Sequence, residues 1–292
     1  MIKLPHFIII GAMKSATSTL QDQLIQQPGI FMCDPKEPNF FSDDEQYSKG
    51  MKWYKDLFYK SPENFLLGEA STHYTKLPTY PETVNRINKD LSDTRFIYVM
   101  RHPIDRLISH YIHEWSMGNY KCDINVAIKQ YPELVNYSRY AMQLEPYFDN
   151  FGRNKVLPVF FDRLINHSQS ELERVCNFIT YKSRPIWHED LTAKNVSNKR
   201  IRRFPLYRLL IESKIATSLR RKIIPKQLRN IVKDKLRMQN RPVINEYNLN
   251  ELNSIFNQDL EILGKMLDLK INCENFKEVT SLELSGWTKN EN

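Results

Sequence analysis

The sequence predicts an α/β fold: a central parallel sheet flanked by helices, with a helical C-terminal part. Three observations carry this. Short apolar, β-branched runs alternate with segments of helical character up to about residue 180. Those runs are continuously apolar, as strands buried on both faces are, and lack the alternation of half-exposed strands. After about residue 192 the strands cease and only helical patterns follow. The 292 residues read as one domain, with an α/β core over 1–195 and a basic loop and helical cover over 196–292.

The elements follow in order. Phe7-Ile8-Ile9-Ile10, ended by Gly11, reads as a buried strand. Residues 17–27 have helical character and stop at Pro28-Gly29. A loop-rich stretch covers 34–52, and Phe65-Leu66-Leu67-Gly68 is a short strand. A helix over 82–91 precedes a strand over 95–100, and a helix over 104–115 follows Pro103. A helix over 138–148, a strand over 156–161 and a helix over 168–179 complete the core. Residues 204–235 and 249–269 are helical, the latter apolar at Leu252, Ile255, Phe256, Leu260, Leu263 and Leu267.

Composition excludes several classes. Hydrophobic residues make up 41% and charged residues 26%, too apolar for a disordered chain. The four cysteines are far apart with no CxxC pair, against a disulfide scaffold or zinc ribbon. No apolar run reaches the roughly 18 residues of a membrane span, and the first residues lack a signal-peptide core. The expectation is a soluble, cytoplasmic protein. Its net charge of +8 is uneven: 199–241 holds 15 Lys and Arg against Glu212 and Asp234, so this stretch carries +13 and the rest −5. A solvated basic face, a helix on anionic membrane and a surface for an acidic polysaccharide all remain open for it. Nucleic acid is disfavoured, because aromatics are sparse there and no binding motif occurs.

Two places suggest anion binding. Gly11 to Leu20 forms a strand, a turn of small residues and a helix start, where free backbone N–H groups and the helix dipole favour phosphate. Lys14 adds charge and Thr17, Ser18 and Thr19 add hydroxyls. An ordinary polar-capped turn would look similar. The loop is not a Walker A motif, since no Gly-Lys pair exists, which disfavours an ATP or GTP site and a nucleotide kinase. The strand over 95–100 delivers Arg101 to the crevice where open α/β sheets bind ligands, and Ser109 lies two turns into the next helix. Alone, these are equally a surface charge and a helix-face hydroxyl. Lys36-Glu37-Pro38-Asn39-Phe40-Phe41, taken alone, is a solvated turn with an aromatic anchor.

Together these motifs resemble the sulfotransferases that use 3′-phosphoadenylyl sulfate (PAPS). Gly11-x-x-Lys14-Ser15-Ala16-Thr17-Ser18-Thr19-Leu20 resembles their 5′-phosphosulfate loop, with Ala16 where glycine is usual. Alanine is small enough for close backbone approach provided its φ stays negative. Arg101-x-Pro103-x-x-Arg106-x-x-Ser109-x-Tyr111 resembles their 3′-phosphate motif. The likeness covers about residues 5–205 and is greatest to the carbohydrate-type (heparan sulfate sulfotransferase-like) and bacterial members.

The resemblance implies a P-loop NTPase-like three-layer fold. It implies that Lys14, Ser15, Ala16, Thr17, Ser18 and Thr19 hold the phosphosulfate, and that Arg101 and Ser109 hold the 3′-phosphate. Asn198, Lys199 and Arg200 match loosely a late loop that closes over the phosphates. Glu37 matches the catalytic glutamate of Lys-Glu-x-x-Phe-Phe, with Lys36 and His73 on the substrate side and His73 a second candidate base. Lys14 would stabilise the leaving nucleotide, and no metal is required. The acceptor would be a hydroxyl or amine on a carbohydrate, lipid or small metabolite. Gly68-Glu69-Ala70-Ser71-Thr72-His73-Tyr74 resembles a cleft-lining segment, with Ala70 where some glycan-modifying relatives carry lysine.

Overall fold

The computed structural model describes residues 3–91, 93–191, 238 and 240–282. Its centre is a five-stranded parallel sheet: β1 (Phe7–Gly11), β2 (Ile30–Met32), β3 (Leu66–Ala70), β4 (Arg95–Met100) and β5 (Val156–Phe160), in the order β2-β3-β1-β4-β5. β1 pairs in parallel with β3, Phe7 opposite Gly68, and with β4, Phe7 opposite Arg95. Every residue of β1 is buried, as expected of a central strand covered on both faces.

Because side chains alternate along a strand, each strand feeds two cores. Ile8, Ile10, Phe96, Tyr98 and Met100 pack on one face with Leu107, Leu144 and Phe256. Phe7, Ile9, Ile97 and Val99 pack on the other with Leu20, Leu24, Leu172 and Val175. The first face is covered by α5 (Pro103–Met117), α8 (Tyr140–Phe151) and α11 (Glu246–Leu267), the second by α1 (Thr17–Ile25) and α10 (Ser168–Phe178). The result is three layers, with a helical C-terminal part on one side.

The strand order fixes where a ligand can sit. From β1 the chain leaves through α1 towards β2, on one side of the sheet; from β4 it leaves through α5 towards β5, on the other. Between β1 and β4 the connections diverge and open a crevice at the strands' C-terminal ends. The segments after Gly11 and after Met100 both face it.

Several expectations are corrected in detail. β2 was not foreseen; three residues are too short to show a period. The stretch 34–52 is not all loop: α2 (Asp44–Tyr47) starts at Asp43, whose side chain accepts from Gln46 N at 3.1 Å, and α3 (Gly50–Asp56) follows. Phe161 does not end β5 but begins α9 (Phe161–Asn166). The helix expected over 249–269 starts earlier, because the Asn245 side chain caps it by accepting from Asn248 N at 2.8 Å. α4 (Thr83–Asp90), α6 (Ile124–Gln130), α7 (Glu133–Asn136) and α12 (Phe276–Ser281) complete the helices among the described residues. The helix expected over 204–235 lies outside them. Among the described residues no helix is long and apolar enough to cross a membrane, and all four cysteines are free.

Candidate active site

The first wall of the site is the turn from β1 into α1. Gly11 is required by close approach: a Cβ there would lie 2.0 Å from Thr75 Oγ1 and 2.8 Å from a Tyr98 ring carbon. Thr75 Oγ1 donates to Ile10 O at 2.7 Å, and Ala12 N donates to Val99 O at 2.8 Å, so the loop is tied to both neighbouring strands. Beyond it the backbone alternates in handedness, with φ +72° at Lys14 and +69° at Ala16. Such alternation, leading into a helix N-terminus, turns successive N–H groups towards one concavity. The expectation of a negative φ at Ala16 is therefore corrected. The chain must reverse into α1 at that residue, whose carbonyl already accepts from Leu20 N at 3.1 Å. Alanine holds the conformation that glycine adopts without a Cβ clash.

The second wall is the loop between β2 and α2. Glu37 N donates to Ala70 O at 3.1 Å, and Asn39 N donates to Ser71 Oγ at 3.1 Å. Ser71 in turn donates to Glu69 Oε1 at 2.6 Å, and the Tyr54 hydroxyl donates to the other Glu69 oxygen. Glu69 is fully buried, and burial pushes its carboxyl above the usual range against these hydrogen bonds. Phe40 and Phe41 are fully buried and pack on Tyr54, with ring centroids 4.7 and 5.0 Å away. The aromatic pair is thus a core anchor, and its turn presents Glu37 to the crevice. Thr72 Oγ1 approaches Glu37 Oε1 at 3.4 Å. Lys36 is not among the lining residues; its ammonium donates to Ser18 Oγ at 2.5 Å and fastens this loop to α1. Burial lowers the Lys36 pKa, opposed by Glu37 and Asp22.

The third wall is β4 and α5. Arg101 leaves β4 with its guanidinium over the Phe161 ring, 4.6 Å from the centroid. The Tyr140 hydroxyl donates to Arg101 O at 2.5 Å and fixes that backbone from α8. Ser109 lies on α5 and is 6% exposed. Arg106 serves elsewhere: fully buried, it donates to Ser138 Oγ and, at 2.7 Å, to Leu134 O. It ties α5 to α7 and its neighbours.

These walls enclose a cavity of about 620 Å³. Lys14, Ala16, Thr17, Ser18 and Thr19 line it from the first wall, Glu37 from the second, and Arg101 and Ser109 from the third. His73 lines it too, stacked on Tyr80 at 4.9 Å, and burial together with Lys76 brings its pKa down to about 4. Ser15 is fully buried and does not line the cavity; its hydroxyl neighbours that of Tyr140. Asn198, Lys199 and Arg200 lie outside the described residues.

Sequence reasoning missed two charged lining residues. Lys76 follows the short 3₁₀ turn Thr72–Thr75, and burial lowers its pKa to about 8 although Glu37 and Glu114 oppose the shift. Glu114 lies on α5 five residues after Ser109. Hydrogen bonds from His110 and Asn119 outweigh its burial and hold its pKa near 2. Glu114 directly follows His113, which also lines the cavity, but the i,i+4 spacing of Ser109 and His113 does not itself flag it. Nothing local in the sequence flags Lys76. Among the described residues no group of three His, Cys, Asp or Glu side chains could hold a metal ion.

Comparison with known proteins agrees with this architecture. The sulfotransferase domain model matches residues 4–260. A mouse protein, heparan sulfate glucosamine 3-O-sulfotransferase 3A1, is 30% identical over 189 residues, covering 62% of this chain and 47% of its own length. The chain therefore spans about half the length of the curated relatives it matches. A solved sulfotransferase from Alicyclobacillus acidocaldarius shares the fold, with a TM-score of 0.64 and 21% identity over 92% of this chain and 98% of that one. A mouse sulfotransferase solved in complex with PAP shares it more loosely, with a TM-score of 0.50 and 13% identity over 90% of this chain and 87% of that one. With its family model matched over most of its length and its fold shared with these enzymes, the chain belongs to the sulfotransferase domain family.

Proposed function

We propose that this protein transfers the sulfuryl group of PAPS to a hydroxyl or amine of an acceptor. One observation carries the reading: a single cavity gathers Lys14, Glu37, Arg101 and Ser109 from three motifs far apart in the chain. The residues fit such a donor. The turn before α1 offers converging N–H groups, Lys14 and three hydroxyls to a phosphosulfate, while Arg101 and Ser109 offer a separate fork of donors to a 3′-phosphate. Asn198, Lys199 and Arg200 would close over these phosphates.

The donor supplies an activated sulfuryl group; the chain supplies position and charge. Lys14 stabilises the negative charge that grows on the bridging oxygen of the leaving nucleotide. Glu37 takes the proton that the attacking hydroxyl or amine loses, with Thr72 steadying one carboxylate oxygen and the buried Glu69–Ser71 pair holding the loop beneath it. His73 is the second candidate base, made a weaker proton acceptor than an ordinary histidine by burial and by Lys76. His73 stands on the substrate side, whereas Lys36, bonded to Ser18 and absent from the cavity wall, supports the loop that carries Glu37. The acceptor is a hydroxylated carbohydrate, lipid or metabolite, and the sulfated sugar in the relative's name favours carbohydrate. The basic stretch 199–241 offers contact to anionic membrane or acidic polysaccharide.

The test is turnover with labelled PAPS. Glu37→Gln should lower it by roughly 100-fold or more while PAP still binds. Turnover near that of wild type would remove Glu37 from the mechanism.

A further inference from the structure

Lys76 belongs to none of the motifs that answer to the donor, yet it lines the cavity with Glu37. Its backbone position is firm, since the preceding Thr75 is bonded to the end of β1 and Leu77 N donates to Gln143 Oε1 at 2.8 Å. Among the described residues its ammonium makes no hydrogen bond and no ion pair. Its ammonium stands over the face of the Tyr137 ring, 5.7 Å from the centroid. Glu37 and Glu114 both act on it electrostatically, as does the opposing Arg106. Glu114 is already engaged: Asn119 donates to it at 2.6 Å, and His110 and His113 approach at 3.7 and 3.9 Å. Lys76 is partly buried, and among the described residues its ammonium bonds neither carboxylate, which leaves it open to an oxygen that enters the cavity. Lys76 and Glu37 line the same cavity.

We propose that Lys76 is an acceptor-binding residue that donates to an oxygen adjacent to the hydroxyl deprotonated by Glu37. The enzyme then selects acceptors that carry two neighbouring oxygens over isolated alcohols and phenols. Two oxygens on adjacent carbons can meet the carboxylate and the ammonium together, whereas a lone hydroxyl leaves the partly buried ammonium without an acceptor on the substrate. This rests on the sulfuryl-transfer reading above and names the acceptor chemistry of the same site.

The experiment compares transfer from labelled PAPS to trans-1,2-cyclohexanediol and to cyclohexanol, in wild type, Lys76→Met and Lys76→Arg, with PAP binding followed by thermal shift. Wild type should prefer the diol in kcat/KM by about tenfold or more. Lys76→Met should bring the ratio close to one, mainly by raising KM for the diol, and Lys76→Arg should keep part of it. The preference should also fade as pH rises through about 8, where the ammonium loses its proton. Where neither small alcohol is sulfated, reductive ¹³C-methylation of the PAP-bound protein reads the same contact. The Lys76 signal, identified by its loss in Lys76→Met, should move with the diol and stay still with the mono-ol. A signal blind to both, an equal rate for both, or a diol preference that survives Lys76→Met overturns the inference and leaves the parent reading intact. A wild-type protein that binds no PAP overturns both.

Discussion

Two small residues in one turn make opposite demands on their side chains. At Gly11 any Cβ meets Thr75 and Tyr98 inside contact distance, so Gly11→Ala must displace a buried hydroxyl that is bonded to β1. At Ala16 the Cβ already stands in the left-handed region, which costs an L-residue about 1–2 kcal/mol. Glycine removes that cost but adds flexibility to the unfolded chain, worth about 0.5–1 kcal/mol the other way. Ala16→Gly should therefore be neutral to stabilising by up to roughly 1 kcal/mol in urea denaturation. Gly11→Ala should be strongly destabilising in the same measurement. An Ala16→Gly variant losing stability would show that the turn is not strained where its φ places it.

Helices in this molecule hold the site from behind. Asp259 on α11 is 3% exposed and accepts from Ala141 N at 2.9 Å and Met142 N at 3.2 Å, so one helix caps the start of another. Burial raises its pKa against those bonds. The helix it caps, α8, carries Tyr140, whose hydroxyl holds the backbone of Arg101. Asp259→Ala leaves one buried and one partly buried N–H group without an acceptor and should cost roughly 2–4 kcal/mol in denaturant unfolding. It should also weaken PAP binding although Asp259 does not line the cavity. At this scale the legibility of the sequence follows burial. β1, β4 and β5 are readable because they are apolar throughout, which covered central strands require. β2 is hidden by its three residues. The motif residues Lys14, Glu37, Arg101 and Ser109 are legible through the resemblance of their motifs: Lys14 and Arg101 follow recognisable strands, Ser109 lies two turns into the next helix, and Glu37 precedes an aromatic anchor. Lys76 and Glu114 reach the cavity only through tertiary placement, Lys76 by the pairing of β3 beside β1 and Glu114 by the far end of α5.

For the whole molecule, acid is the most informative stress. The side chain of His110 is 4% exposed and stacks on Tyr137 at 5.7 Å. Burial and nearby Arg106 and Lys76 lower its pKa from 6.5 to about 4, although Glu114 pulls the other way. Its folded pKa lies below that of the unfolded chain, so the native state favours neutral imidazole. That stability is whole above pH 6.5 and is lost as pH falls towards 4, amounting to roughly 3 kcal/mol at most. His73 acts in the same direction. Unfolding free energy should therefore decline between pH 6.5 and 4, and His110→Gln should flatten part of that slope. An unchanged slope would mean that His110 protonates freely in the native state. The charge of the molecule also divides at this scale. The net of +8 comes from 199–241, while the rest is −5. On the proposed reading the donor is held by a few placed cations on an acidic background, and net charge is a poor guide to the site. In the proposed function, Arg101 and Ser109 read the 3′-phosphate of the nucleotide. The most direct measurement is calorimetric binding of 3′,5′-adenosine bisphosphate and of AMP to wild type and Arg101→Ala. Wild type should bind the bisphosphate more tightly, and Arg101→Ala should lose most of that advantage while its AMP affinity changes little. Equal affinity for the two nucleotides in wild type, or an equal loss for both in the variant, would contradict the account.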